Sequence, residues 1–593
     1  MNRFIALVWN WRADHAVADA AALVAGVERE RPGWKRVWDK PGLIVFEGKR
    51  QGAGDGALEV GEGALFVGTV FDASGRIANP ASIDVARLRA TTGAAAFTEL
   101  WGRYVAFVRD EDEACVHVVR DPSGALPCFT GRRGWIFVFF SNPDDISALD
   151  LDGTEIDRTY LAQRLVNNRV VTSRTGLEGV SVLAPGAIAR VGQGRCVIRQ
   201  AWTAEAVASS APKTEASEAI VLLREGVELA CAAWAGRFEK VGLRLSGGLD
   251  SSIVLAAIAG KTQIGAINFV TPNAEGDERD FARAAAVFAG AALSERLRDS
   301  DRVDLEEAVR HPPTLNPHLW LADGETDEVE AAFAREQGVD AYLSGRGGDN
   351  VFFRSEQPGA LADWLATHGA GPSFWRRAWA YASETGAPFI AAVGAAMRLA
   401  SSPPAGTPAP VLPWLSQRAI ELAHETPHAP ALLPPGKLMH VHSIGDRLNY
   451  FDYRAHADYI YPLVSQPVIE TCLRLPTYML SPAGADRGLA RAAFAPKLAP
   501  AVLARRSKGR TNVYLARILM RHVPFLQRFL LDGELAASGL IERDALAAAL
   551  TEGALMRSME VMAHVAGLLC IEAWLRNPPC ASVKKQAASA LVT

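Results

Sequence analysis

The sequence predicts a mixed α/β protein with a β-rich N-terminal domain and a C-terminal domain built on a parallel sheet. The chain has 593 residues, more than a single hydrophobic core usually serves, so two or three domains are expected. Up to about Trp202, short apolar strand patterns alternate with turn residues. After residue 210, strand and helix patterns alternate instead, which indicates βαβ units and a parallel sheet.

Composition and charge exclude several kinds of partner. Hydrophobic residues make up 49% of the chain and charged residues 22%, which is typical of a globular protein, and the formal net charge of −4 gives no reason to expect nucleic acid. The N-terminal apolar stretch is too short for a signal peptide, and no run of about 18 apolar residues predicts a membrane-spanning helix. Seven widely spaced cysteines without a CxxC pair favour a reducing, cytoplasmic location.

The domain boundaries follow from changes in local composition. Residues 206–217 are small, polar and proline-containing, which is typical of a linker. We therefore expect a first domain at residues 1–205, a second at residues 218–580 and a tail at residues 581–593. The predicted strands of the first domain are FIALVW, GLIVFEG, GALFVGTVFD, RYVAFVRD, ACVHVVRD, WIFVFFS and AIARV. In the second domain, predicted strands at 240–245, 264–270 and 340–345 alternate with predicted helices at 253–259, 280–293 and 327–337.

The most informative segment is the heptapeptide SGGLDSS at residues 246–252, between a predicted strand and a predicted helix. Two glycines that open a helix present backbone N–H groups and hydroxyls to an anion. Because a carboxylate in a phosphate loop would repel its ligand, Asp250 implies a bridging Mg2+. The alternative is a turn that needs glycine and serine for backbone reasons alone. The predicted nucleotide-binding residues here are Leu245, Ser246, Gly247, Gly248, Asp250, Ser251 and Ser252.

A second glycine-rich loop, SGRGGDN at residues 344–350, follows another predicted strand. Its glycines permit close backbone approach, and Asp349 supplies another carboxylate. Because both loops follow strands of a parallel sheet, we expect them at one crevice. Asp250 and Asp349 would then be the protein ligands of one Mg2+ ion. The alternative for Asp349 is a hydrogen-bonded turn residue.

These two loops resemble the synthetase domain of the asparagine synthetase family, through LRLSGGLDSS and the later YLSGRGGDNVFF. The resemblance covers roughly residues 220–520 and implies an ATP pyrophosphatase that uses ATP and Mg2+. It implies that Ser344 and Gly345 contact the nucleotide and that the strand around Phe269 borders the adenine. It also implies that Lys508, in LARRSKGR, meets the phosphates, where an ammonium would stabilise the developing negative charge. A solvated basic face is the alternative for that segment.

The first domain resembles class II glutamine amidotransferase domains, which have an Ntn-type fold, through LWGRYVAFVRD and VVRDPSGALPCF. The nucleophile of those domains is the cysteine left at the N-terminus once the initiator methionine is removed. Residue 2 here is Asn2, whose side chain has no thiolate to attack glutamine. We therefore expect no glutaminase activity, and a structural or docking role for this domain.

Two further departures concern the acyl acceptor. Arg346 stands where asparagine synthetases carry the glutamate of S-G-E-G and β-lactam synthetases carry tyrosine, and a permanent cation cannot act as a general base. The string ADYIYPLVSQPVIETCLRLPTYML replaces the family's aspartate-site pattern. With SGRGGDN and RRSKG, it resembles the lasso-peptide macrocyclases, which are asparagine synthetase homologues without a working glutaminase.

This resemblance implies that ATP activates an Asp or Glu side chain of a ribosomal precursor peptide. The peptide's own α-amine would then form the isopeptide bond, releasing AMP. A leader-binding protein and a leader peptidase are the implied partners. Arg346 either holds the activated carboxylate or the α-phosphate, or braces its loop. His440, His442 or His456 is a candidate acceptor of the amine proton, with a structural histidine as the alternative for each.

Three other functions stay open on the sequence. A β-lactam synthetase and an ammonia-using asparagine synthetase share the predicted nucleotide site. A non-catalytic nucleotide-binding scaffold belongs to another class, and the joint presence of SGGLDSS, Asp349 and Lys508 argues against it.

Overall fold

The computed structural model describes residues 3–48, 56–167, 172–210, 214–271, 277–310, 314–317, 324–401, 412–423, 433–448, 457–505 and 511–579. Within these ranges the chain forms three sheets, two in the first domain and one in the second. None of the helices in them is both long and apolar enough to cross a bilayer.

The first domain contains two antiparallel six-stranded sheets. Its strands are β1 (Arg3–Val8), β2 (Lys35–Lys40), β3 (Leu43–Gly48), β4 (Leu58–Val60), β5 (Ala64–Asp72), β6 (Leu100–Asp110), β7 (Cys115–Arg120), β8 (Phe129–Arg133), β9 (Ile136–Phe140), β10 (Ser181–Val182), β11 (Ala187–Gly192) and β12 (Arg195–Gln200). The strand order is β10-β8-β9-β1-β3-β2 in one sheet and β12-β11-β7-β6-β5-β4 in the other.

The two sheets pack face to face, and each also buries its outer face. Phe4 of β1 and Phe107 of β6 meet between the sheets in an edge-to-face arrangement, with ring centroids 5.9 Å apart. The helix Asp14–Glu30 covers the outer face of the first sheet. Because both faces are covered, a central strand such as β6 is buried at nearly every position instead of at alternate ones.

The second domain is built on a five-stranded sheet in which all neighbouring pairs are parallel. Its strands are β13 (Lys240–Arg244), β14 (Gln263–Val270), β15 (Ala292–Leu297), β16 (Ala341–Ser344) and β17 (Asp458–Ile460), in the order β15-β14-β13-β16-β17. The chain moves outward in one direction from β13 and in the other from β16. The carboxyl ends of these two strands therefore form a topological switch point, where ligands of open α/β sheets bind.

Helices surround the sheets. They are Asp14–Glu30, Val85–Ala90, Ala96–Glu99, Ile146–Leu149, Arg158–Val166, Ala204–Ser209, Ala216–Ala235, Leu249–Ile258, Arg279–Ala289, Leu305–Ala308, Gly324–Gln337, Gly348–Val351, Gly359–His368, Pro372–Thr385, Phe389–Ser401, Gln417–Ala423, Pro435–Leu448, Gln466–Arg474, Thr477–Leu480, Gly488–Phe494, Pro500–Ala504, Thr511–Arg521, Val523–Leu531, Glu534–Ala537, Arg543–Ala549, Glu552–Arg557 and Met559–Arg576. The helices of residues 511–576 pack with Arg158–Val166 and Asp14–Glu30 in one apolar core beside the first domain.

The predicted fold class is confirmed, and every strand pattern named above forms a strand. The helix predicted at 280–293 ends earlier, because Gly290 takes a left-handed φ of +66° and β15 begins at Ala292. The domain boundaries stay predictions. Residues 206–217 are partly helical, since Ala204–Ser209 and Ala216–Ala235 both extend into them. The predicted tail, residues 581–593, lies outside the described residues.

The two domains share an apolar core and a buried ion pair. Phe71 and Trp101 of the first domain pack edge to face on Trp234 of the second, with centroids 4.9 and 6.5 Å away. Beside them, Arg103 of β6 donates to both oxygens of Asp458 in β17, at 2.9 and 2.6 Å. Burial would raise the pKa of Asp458, but the charge of Arg103 holds it below its usual range. The pair thus joins β6 to the edge of the parallel sheet.

The substitution Asp458→Asn is expected to lower the free energy of unfolding by about 3 kcal/mol, because it leaves the buried guanidinium of Arg103 without its counter-charge. Urea unfolding followed by circular dichroism measures the change. The matched control is Glu228→Gln, which removes a partly exposed ion pair with Lys497 and should cost less than about 1 kcal/mol. Equal losses in the two variants would contradict a special role for the buried pair.

Candidate active site

The first loop presents hydroxyls and backbone amides at the start of a helix. Residues 246–248 join β13 to the helix Leu249–Ile258. Gly247 has φ +69°, and a Cβ there would lie 2.3 Å from the backbone nitrogen of Ala282, so only glycine fits. The Ser246 hydroxyl accepts a bond from the Gly248 N–H at 3.2 Å and lies 3.2 Å from the Ser251 hydroxyl. Together with the helix N-terminus, these groups favour an anion.

The second loop lies directly against the first. β13 and β16 are neighbouring parallel strands, so the two loops leave the same edge of the sheet. A Cβ on Gly345 would lie 2.4 Å from the backbone nitrogen of Ser251, and one on Gly348 would lie 2.5 Å from Cγ of Asp250. Because these two residues have no Cβ, the second loop can lie directly against Ser251 and Asp250 of the first loop. The structure brings SGGLDSS and SGRGGDN together at one crevice.

Asp250 and Asp349 meet at the guanidinium of Arg487. The Nη1 atom of Arg487 is 2.9 and 2.8 Å from the two carboxylate oxygens of Asp250 and 2.6 Å from Oδ1 of Asp349. Its Nη2 atom donates to Asp486 at 2.7 Å. Burial disfavours the charge, but the surrounding carboxylates, Asp250 first, raise the pKa of Arg487 above its usual value.

This donor set fits Mg2+. Asp250 and Asp349 offer carboxylate oxygens, which are the ligands that hard divalent cations prefer. Both carboxylates reach one nitrogen atom of Arg487, so they lie close enough to share a cation. When bound with a nucleotide, the ion would neutralise charge on the phosphate oxygens.

The side of the crevice expected to hold the nucleoside contains unsatisfied polar atoms. Asn268 of β14 donates to the carbonyl oxygen of Leu245 at 2.7 Å, and its own side-chain oxygen is buried without a hydrogen-bond partner in the described part of the chain. The buried hydroxyl of Ser252 likewise has none there. Phe269 follows Asn268, with its ring centroid 5.6 Å from the guanidinium carbon of Arg244. The Ser344 hydroxyl accepts a bond from the backbone N–H of Arg346 at 3.2 Å.

The predicted phosphate-facing lysine, Lys508, lies outside the described residues. Arg505, which begins the same basic motif, is described. It forms an ion pair with Glu278 and stacks over Phe281, with its guanidinium carbon 4.3 Å from the ring centroid. Phe281 also neighbours Gly247 of the first loop. At least the start of this motif therefore lies close to the phosphate loop.

A cavity opens beside the second loop, at the boundary between the domains. The second loop contributes Arg346 and Gly347 to its wall, and the first domain contributes Gly102, Arg103, Ser123 and Ala125. The remaining lining residues are Trp234, Arg447, Tyr459, Ile460, Tyr461, Val464 and Ser465. Arg346 lies 5.9 Å from the ring centroid of Tyr461. The wall is thus cationic and aromatic, and it adjoins the loop that carries Asp349.

The candidate histidines lie in different surroundings. His440 is fully buried, and its Nε2 is 2.9 Å from the carbonyl oxygen of Val351. Burial and the neighbouring Lys437 hold the pKa of His440 well below its usual value, so the ring is neutral and structural. His442 is exposed on the same helix, and His456 lies outside the described residues.

Arg487 was not predicted from the sequence. Its only local signal is an acidic-basic pair, Asp486 and Arg487, just before a short helix, and many surface turns carry such pairs. Its left-handed backbone, with φ +52° and ψ +42°, is uncommon outside glycine, but no sequence pattern announces it.

Two family models match the chain, one in each half. The model of the asparagine synthase family matches residues 223–576, and that of the glutamine amidotransferase domain matches residues 84–202. No curated protein matches the chain significantly.

Two solved structures are distantly similar. One is described as the allosteric regulatory enzyme of purine biosynthesis, with 11% identity, 58% of this chain and 83% of that chain covered, and a TM-score of 0.21. The other is glutamine phosphoribosylpyrophosphate amidotransferase from B. subtilis complexed with ADP and GMP, with 12% identity, 58% and 90% covered, and a TM-score of 0.22.

The amidotransferase match agrees with the paired antiparallel sheets of the first domain, and the synthase match contains the whole crevice described above. The synthase match indicates an ATP-dependent ligase that forms a carbon-nitrogen bond. Because it covers more than half of the residues, the chain belongs to the asparagine synthase family.

Proposed function

We propose that the protein is the macrocyclase of a lasso peptide. It would adenylate an Asp or Glu side chain of a ribosomal precursor peptide and join that side chain to the peptide's own α-amine. The observation that carries the proposal is the cavity between the domains, which adjoins the second strand-end loop and is lined by residues of both domains.

The state of the cysteines argues against glutamine as the nitrogen source. Burial raises the pKa of every cysteine thiol in the described residues: Cys115, Cys128, Cys196, Cys231, Cys472 and Cys570. Cys115 lies 3.6 Å from a ring nitrogen of His117, but burial also lowers the pKa of that histidine. Both shifts disfavour a thiolate-imidazolium pair. The nitrogen would then come from free ammonia or from an amine of the substrate.

An α-amine is a suitable nucleophile for this reaction. A free α-amine has a pKa of about 7.7–8.0, so part of it is neutral near pH 7. Arg346 and Arg447 line the cavity. Arg447 donates to the side-chain oxygen of Asn350 at 2.9 Å. The charge of Arg103 is balanced by Asp458.

The first half-reaction uses the phosphate side of the crevice. A carboxylate oxygen of the peptide attacks the α-phosphorus of ATP, and the bond from that phosphorus to pyrophosphate breaks. The residue 246–252 loop would hold the departing pyrophosphate with its hydroxyls and helix N-terminus. Asp250 and Asp349 would hold Mg2+. Lys508 stays a hypothesis for stabilising the charge that develops.

The second half-reaction uses the cavity. The neutral amine nitrogen attacks the acyl carbon, the bond to the AMP oxygen breaks, and AMP leaves with the bonding electrons while the amine proton passes to solvent. Because both groups belong to one peptide, an effective molarity of about 10^5 M or more would compensate for a weak general base. Arg346, which belongs to the second loop and lines the cavity, would orient the activated carboxyl group. A leader-binding protein and a leader peptidase would supply the peptide.

Linear peptides with a free α-amine and an Asp or Glu at varied distances from it provide the direct test. With ATP and Mg2+, the correct peptide should give AMP and a product lighter by one water, measured by mass spectrometry. Replacing the acid by its amide should abolish AMP formation, because no carboxylate remains to attack. N-acetylation should abolish the dehydrated product. Formation of asparagine from aspartate and ammonium, or closure of a β-amino acid to a β-lactam, would overturn the proposal.

Asp250→Asn and Asp349→Asn should each reduce the rate of AMP formation at least about 100-fold, because each removes one carboxylate from the shared cation site. The release of pyrophosphate under saturating peptide measures the rate. Asp532→Asn is the matched control, since Asp532 is 67% exposed and pairs with Arg543 at the surface. A rate within threefold of wild type in both active-site variants would refute the assignment of the site.

A further inference from the structure

Arg487 occupies the position that a cation shared by Asp250 and Asp349 would need. Its Nη1 atom contacts three oxygen atoms of these two residues at 2.6 to 2.9 Å. The side chain is 6% exposed, so water does not screen these contacts. A divalent ion cannot be bound by both carboxylates while the guanidinium keeps the same contacts.

We infer that Arg487 couples metal binding to nucleotide binding. In the nucleotide-free protein its guanidinium neutralises the two acids, and when Mg2+ and ATP enter together it transfers to the phosphates. The inference rests on the nucleotide site of the proposed function, but it does not depend on the peptide substrate. Arg487 is thus a positioning residue. It favours binding of the metal together with the nucleotide over binding of the metal alone.

The energetics favour joint entry over entry of the metal alone. Mg2+ alone would have to displace a buried guanidinium from two of the three carboxylates that it contacts, which is costly. ATP removes that cost, because phosphate oxygens match the planar fork of a guanidinium. The phosphate loop is close, since Asp250 belongs to it. Each ligand should therefore increase the affinity for the other by the same factor.

The neighbouring arginines have different surroundings. Arg354 approaches Asp349 only to 3.7 Å, from the outside, and its side chain is 36% exposed. Arg491 donates to the backbone carbonyls of Leu503 and Arg505 at 3.0 Å. Arg487 is held in place by its left-handed backbone and by Asp486, which binds both Nε and Nη2. Its guanidinium alone lies between both acids among the described residues.

The test measures Mn2+ binding by electron paramagnetic resonance, with and without a non-hydrolysable ATP analogue. For Arg487→Gln, Mn2+ alone should bind at least about tenfold more tightly than to wild type, because the Arg487 guanidinium no longer competes for the two carboxylates. The factor by which the analogue increases Mn2+ affinity should fall at least about tenfold. Arg487→Lys should be intermediate. Arg354→Gln is the matched control, and its effect on either quantity should stay below about threefold.

Thermal unfolding separates this role from a merely structural one. Arg487→Gln removes the cation that contacts both Asp250 and Asp349, so Mn2+ alone should raise the melting temperature of the variant more than that of wild type. If Mn2+ alone binds the variant no more tightly, or the coupling factor is unchanged, the inference is wrong. Failure of wild type to bind Mn2+ with the analogue would instead reject the nucleotide site of the proposed function.

Discussion

The close contact between two loops at the edge of the parallel sheet determines the rest of the site. β13 and β16 are neighbours, so their loops leave the sheet about 4.8 Å apart. At Gly345 and Gly348 the second loop lies so close to Ser251 and Asp250 of the first loop that a Cβ atom would clash with them. The glycines are therefore required for packing, whatever ligand binds. The contact places an acid from each loop at one point, and a compensating cation becomes necessary.

The negative charge of Asp250 and Asp349 connects the protein with both the metal and the nucleotide. Two carboxylates at one buried location repel each other, and the cost is large where the effective dielectric is low. Arg487 offsets this repulsion. It lies immediately before the helix Gly488–Phe494 and is far from both loops in sequence. The same acids are then available to a metal only when the guanidinium has another partner. A phosphate is the partner that this crevice would provide.

Features with a local cause were predictable from the sequence. Apolar runs marked the central strands, and glycines between a strand and a helix marked the two loops, because backbone geometry imposes both. Arg487 was missed because its role depends on partners 237 and 138 positions away. Asp458 was missed for the same reason, since its three-residue strand is held by β16 and its charge by Arg103, 355 positions away. Lys508 stays a prediction from a motif.

The first domain forms part of the wall of the cavity beside the second loop. Its Arg103 pairs with Asp458 at the edge of the parallel sheet, and the same arginine lines the cavity. Trp101 contacts Trp234, which also lines it, so the apolar interface continues into the wall. Removing this domain would expose the core of the second one and open the cavity on one side. The cavity is therefore bounded by both domains, so the amidotransferase-like domain helps to determine its shape.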